Sequence, residues 1–244
     1  MLNLISNFSN NFQTFNLKYM HYYINKKIKK FPGKQFPFYK LRDSIKYRIE
    51  SIKFHVHNLK NLSYDGPFIP TKENSDVHKK LLNVSYIGSF LFDDLIFNCV
   101  SLIDYVGCMI GYLYFNKMNL KHNGCVNTAR DGNLKNNVLA EFIIKENKEW
   151  IDSFFGYRSK IIHKRAAYVV PRRTLSFEDS KGNPMLKEKL EIFVPDSFLK
   201  EINLFSDKKA KITIDDIIDK LIKKIFEYLI GIIDILLEDR NLYN

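Results

Sequence analysis

At 244 residues with 45% hydrophobic side chains, the chain is long enough to bury one substantial core, which excludes a protein disordered throughout. Its formal net charge of +11 at pH 7 predicts attraction to polyanions, nucleic acid or an anionic membrane surface, although a lysine-rich solvated face gives the same number. The sequence holds no glycine-rich phosphate loop, dinucleotide fingerprint, paired-cysteine zinc spacing or H-E-x-x-H, so nothing supports a nucleotide hydrolase or metalloenzyme, and neither cofactor nor metal is expected.

Residues 1–37 are rich in Asn, Phe, Tyr and Lys and read as a basic N-terminal extension ahead of a helical domain spanning 38–244. The first residues lack the charged start and continuous apolar run of an export signal, and the expected location is the cytoplasm. Leu41, Ile45, Ile49, Ile52, Val56 and Leu59 recur at steps of three and four, predicting a helix over about 38–62 with a basic outer face. His55 and His57, two apart on it, point in different directions and make a poor chelate. Asp65-Gly66-Pro67 and Pro70 then force a loop.

From about 76 to 117 apolar residues cover nearly every face, predicting a long helix at the centre of a bundle. Asp93, Asp94, Asn98 and Asp104 interrupt it and argue against a membrane span. Asp94, Asn98, Ser101 and Tyr105 form a polar stripe that faces solvent, bonds to neighbouring helices or walls a cleft. Cys99, Cys108 and Cys125 have no paired spacing and read as buried reduced thiols.

The Asn- and Gly-rich stretch 119–133 reads as a loop, and Leu139, Ile143, Trp150, Phe154, Tyr157 and Ile161 as one face of a third helix. Leu175 and Phe177, then Leu190, Ile192 and Val194, alternate with polar residues around Ser180 to Pro184 and predict a β-hairpin insertion at about 170–195. Thr213 is an expected N-cap, with Asp215 and Asp216 suited to the positive end of the dipole of a fourth helix running to Glu238. The fold class expected is all-α, a bundle of four main helices with one short hairpin.

The chemistry concentrates where the third helix ends. Arg158 and His163 stand five positions apart in Tyr157-Arg158-Ser159-Lys160-Ile161-Ile162-His163, and no acidic residue occurs from Ser153 to Phe177. Histidine exchanges protons near neutral pH, and the planar guanidinium of arginine matches phosphate oxygens. Together they have the parts for metal-independent RNA cleavage, with Lys160, Lys164, Arg165, Arg172 and Arg173 available to hold the flanking backbone. The bland alternative is an Arg and a His that cap a helix C-terminus. Similar spacing at Arg48 and His55 lies mid-helix, with Ile49 directly after the arginine.

The segment 157–163, preceded by Trp150-Ile151-Asp152-Ser153-Phe154-Phe155, resembles the Arg-(four to six residues)-His signature of the HEPN superfamily. That resemblance implies a helical bundle, a homodimer with a composite cleft, and metal-independent endoribonuclease activity of the kind found in toxin–antitoxin, phage-defence and RNA-processing systems. It implies His163 as general acid/base, Arg158 as phosphate holder and Ser159 as a polar helper, with Asp94 or Asp104 as supports from the central helix. RNA and an antitoxin or defence-system protein would be the partners, and no membrane. Ser159 stands where the family most often has Asn, Asp or His, which leaves open a relative without catalysis that serves as an RNA-binding or protein-interaction module.

Overall fold

The computed structural model describes residues 2–26, 35–62, 76–163, 168–178, 184–202, 204 and 212–242. In chain order they form α1 (Leu2–Lys26), α2 (Gln35–Lys60), α3 (Asp76–Phe115), α4 (His122–Arg130), α5 (Asn137–Glu146), a π-helical turn (Asn147–Ile151), α6 (Asp152–His163), β1 (Val170–Glu178), β2 (Pro184–Phe193), α7 (Asp196–Glu201) and α8 (Ile214–Glu238). The fold is mostly helical, as the periodicities predict.

The two most apolar helices, α3 and α8, are wrapped by the rest. Leu81–Phe115 is long and apolar enough to cross a membrane, but 78% of its most apolar window is covered by the bundle, as suits a core helix. Ile217, Leu221, Ile225, Tyr228, Ile232 and Leu236 bury the core face of α8. Thr213 caps it as expected, its Oγ1 accepting the Asp216 backbone N–H at 3.3 Å. All three cysteines are buried and free, and burial pushes the Cys125 thiol up to about 12.

Three elements differ from the sequence expectation. The supposed extension contains α1, whose Ile5, Phe8, Phe12, Phe15 and Tyr19 fall at steps of three and four and are all buried. Phe8 packs edge-on against Phe226 of α8 with centroids 5.6 Å apart, so α1 is a wall of the core rather than an appendage. Each such side chain stabilises the fold by about 1.5–3 kcal/mol before chain entropy is counted.

The second departure is α4, expected as loop. Gly107 on α3 lets its first residue come close: a Cβ there would lie 2.6 Å from the His122 backbone nitrogen. The third is the π turn, whose extra residue turns both Glu146 and Asn147 inward between Ile143 and Trp150.

The hairpin is present, antiparallel, with Arg172 opposite Glu191 and Arg173 opposite Leu190. It is pinned to α3 just before β1: Ser85 Oγ donates to the Val169 carbonyl at 2.7 Å, and the Val169 N–H donates to Ser89 Oγ at 3.0 Å. This tether fixes where the chain runs after α6.

Candidate functional site

Arg158 turns toward α3, while Tyr157 packs edge-on against Phe198 of α7 with ring centroids 4.9 Å apart. The Arg158 guanidinium lies 5.6 Å from the Phe97 ring centroid, and its buried Nε has no hydrogen-bond partner. It forms no ion pair within 4.0 Å among the described residues. Asp104 is near enough to feel its charge; burial raises that carboxyl, while the His122 N–H, Lys121 and Arg158 pull it back down.

His163 is the last residue of α6, and its side chain lies outside the described residues, as do Lys164, Arg165 and the side chain of Arg173. The backbone is helical through His163, and on a regular helix positions five apart lie about 140° from each other. Ser159 is exposed. The run without acids in sequence is met by acids in space: Lys160 pairs with Glu201 at 2.9 Å, and the exposed Arg172 lies across from Glu191.

The expected polar stripe on α3 divides between two neighbours. Asn98 Oδ1 accepts from Arg48 Nη1 of α2 at 2.8 Å, while Asn98 Nδ2 donates to the Asp94 carbonyl at 2.7 Å. Arg48 also lies over the Tyr47 and Tyr105 rings, at 5.5 and 6.0 Å from their centroids. His55 Nδ1 is 2.7 Å from the Ser51 carbonyl. A carbonyl only accepts, so Nδ1 carries the proton, and Nε2 faces the Asp94 carboxylate at 3.6 Å. Asp94 therefore lies beside His55, and Asp104 near Arg158.

Arg48 and His55 are seven apart, two turns of helix, and so share a face about 20° wide. That spacing was the available signal; what the sequence did not show is that α3 supplies Asn98 and Asp94 opposite it. Arg48, like Arg158, is half-buried, has a buried Nε without a partner and lacks an ion pair among the described residues. The two guanidinium groups reach α3 at consecutive residues, Arg158 at Phe97 and Arg48 at Asn98.

Beside this stripe Asp93 is buried, its Oδ1 unpartnered, and burial followed by the Asp94 charge raises its carboxyl to about 7. Tyr157, next to it, has a buried hydroxyl with the Ser197 side chain beside it; burial pushes its pKa up and the Ser197 contact pulls it back.

A second polar group lies deeper. His122 Nε2 is 3.0 Å from Asn147 Oδ1, and its Nδ1 is 3.2 Å from the Tyr228 hydroxyl. With Asn147 as acceptor, Nε2 donates and Nδ1 receives the phenol proton, which fits a neutral ring whose pKa burial lowers to about 4. Glu146 Oε2 accepts from Trp150 Nε1 at 2.7 Å and pairs with Lys224 at 3.1 Å.

Near the end of α6 the surface is apolar: Tyr86, Ile87, Phe90, Ile162, Tyr168 and Val170 are all exposed, and the Tyr86 and Tyr168 rings meet edge-on at 5.9 Å. In comparisons with protein-family models, curated proteins and solved structures, nothing matches this chain.

Proposed function

We propose that the protein is a HEPN-like, cytoplasmic, metal-independent endoribonuclease acting as a homodimer. The observation that carries the reading is Arg158: a half-buried guanidinium with a free Nε and no ion pair among the described residues, five positions from His163 at the end of the same helix. Asp104 is the nearby acid but forms no ion pair with it, and a phosphate would add the charge-assisted hydrogen bonds that the half-buried guanidinium lacks.

In the reaction, His163 takes the proton of a ribose 2′-hydroxyl and the resulting oxygen attacks the adjacent phosphorus. The bond to the 5′-oxygen breaks and that oxygen gains a proton, leaving a cyclic phosphate and a free 5′-hydroxyl. Arg158 holds the non-bridging oxygens as their charge grows, and the exposed Ser159 is a polar helper beside them. Because positions 158 and 163 diverge on a regular helix, a second copy completes the site, and the exposed apolar residues around Tyr86, Ile162 and Tyr168 are the surface it would cover. Arg172 and Arg173 on the hairpin, with Lys164 and Arg165, would hold flanking phosphates. An antitoxin or defence-system protein is the expected protein partner, and membrane is not.

The test is cleavage of single-stranded RNA in EDTA. His163→Ala should lower the rate by about 10² to 10⁴ with RNA binding nearly unchanged, as loss of a general acid/base group does. Wild-type protein that leaves RNA intact removes the enzyme. The second reading, an RNA-binding module without catalysis, is favoured by the regular course of α6 through His163. It gains if binding is present and cleavage is not.

A further inference from the structure

The α2 face carries a cation that the reaction above does not use. On this helix three cations have acidic partners: Glu50 holds Lys53 at 2.7 Å, Asp43 holds Arg42 at 2.7 Å, and Asp219 of α8 holds Lys60 at 2.7 Å. Lys40, Lys46 and Arg48 have no ion pair among the described residues, and of these only Arg48 is half-buried, with one Nη bonded to the neutral Asn98 and its buried Nε unpartnered. Two large rings stand exposed beside these groups: Tyr47, 66% exposed, under the Arg48 guanidinium, and Phe54, 60% exposed, edge-on to His55 at 5.3 Å. Seven residues along a helix put them about 10 Å apart on one face of α2, beside the Asn98 that Arg48 reaches; Phe97, the residue before it on α3, carries Arg158.

An unmatched guanidinium between exposed aromatic rings is the chemistry that takes a single nucleic-acid strand, the cation on a phosphate and the rings under unpaired bases. We infer that Arg48, Tyr47 and Phe54 form a binding track for an unpaired RNA strand, separate from Arg158 and leading to it across α3. The inference rests on RNA being the ligand and assigns this wall no part in bond cleavage. A duplex, whose bases are stacked within the helix, does not use the rings.

The experiment is fluorescence anisotropy with a labelled single-stranded RNA oligonucleotide and with the same sequence as a duplex, over a range of salt. Phe54→Ser should lower single-strand affinity at least about fivefold, leave duplex affinity unchanged and leave the salt slope unchanged. Arg48→Gln, whose amide can still donate to Asn98, should lower affinity about tenfold and reduce the magnitude of the salt slope by about one. Phe54 is exposed, so its variant reads the track even if Arg48→Gln folds poorly.

Wild-type affinity in both variants overturns the track, as does equal loss of single strand and duplex in Phe54→Ser. A change of molecular mass by light scattering in Phe54→Ser without a change in RNA affinity also overturns it, showing a contact between copies instead. Cleavage in the same samples keeps the two readings apart. Cleavage with normal binding in both variants removes the track alone, and the expected binding pattern without cleavage removes the enzyme alone.

Discussion

Two groups of buried polar side chains touch α3, and they differ in how completely they are satisfied. Around His122, donors and acceptors are matched: Asn147 and Tyr228 take the two ring nitrogens, and Glu146 takes Trp150 and Lys224. Around Phe97 and Asn98, two half-buried arginines and Asp93 each keep a buried atom without a hydrogen-bond partner. A satisfied buried network fixes packing, whereas unsatisfied groups weaken the free protein and are retained where something else binds them. The first group is therefore scaffold, and the second is the place to seek a ligand.

The largest effect that sharpens this contrast falls on the scaffold. His122→Ala removes a buried ring and strands Asn147 and Tyr228, which should cost about 3 kcal/mol and lower the melting temperature by about 6–12 °C. Thermal unfolding measures it, and a variant as stable as wild type would show that the His122 network carries no packing.

Asp93 should behave in the opposite sense. Its carboxyl is raised from 3.8 to about 7, so the folded state holds its proton over a range where the unfolded chain has lost it. Its contribution is fully present below pH 3.8 and is lost as pH rises to about 7. Asp93→Asn should remove that decline and be more stable than wild type by about 2 kcal/mol at pH 8, with the advantage gone near pH 4. Denaturant melts at both values decide it; a variant less stable at pH 8 would place a partner on Asp93 that satisfies its charge.

Much of this architecture was legible because apolar spacing reports burial directly. Leu41 to Leu59 and the alternation around Ile192 mark α2 and the hairpin, and Thr213 with Asp215 and Asp216 marks the start of α8. α1 was passed over because Asn and Ser surround Phe8, Phe12 and Phe15, yet the step of those rings was helical. α4 was hidden by its Asn and Gly content, and its place depends on a close approach at Gly107 that no local pattern encodes. For the site, Arg158 was identified, but its setting on Phe97 and the Lys160 pairing with Glu201 are contacts between distant parts of the chain. Arg48 and His55 lie mid-helix, and their spacing of seven places them on one face.

The central claim is that an arginine left without a partner beside α3 serves a ligand and not the fold, and Arg158→Met tests it most directly, since the substitution keeps the bulk and removes the charge. Unfolding free energy and affinity for single-stranded RNA would be measured on the same preparation. The account predicts stability within about 0.5 kcal/mol of wild type, or higher, with affinity lowered about tenfold and a shallower salt dependence. A variant that unfolds as readily as His122→Ala while binding RNA like wild type would contradict it.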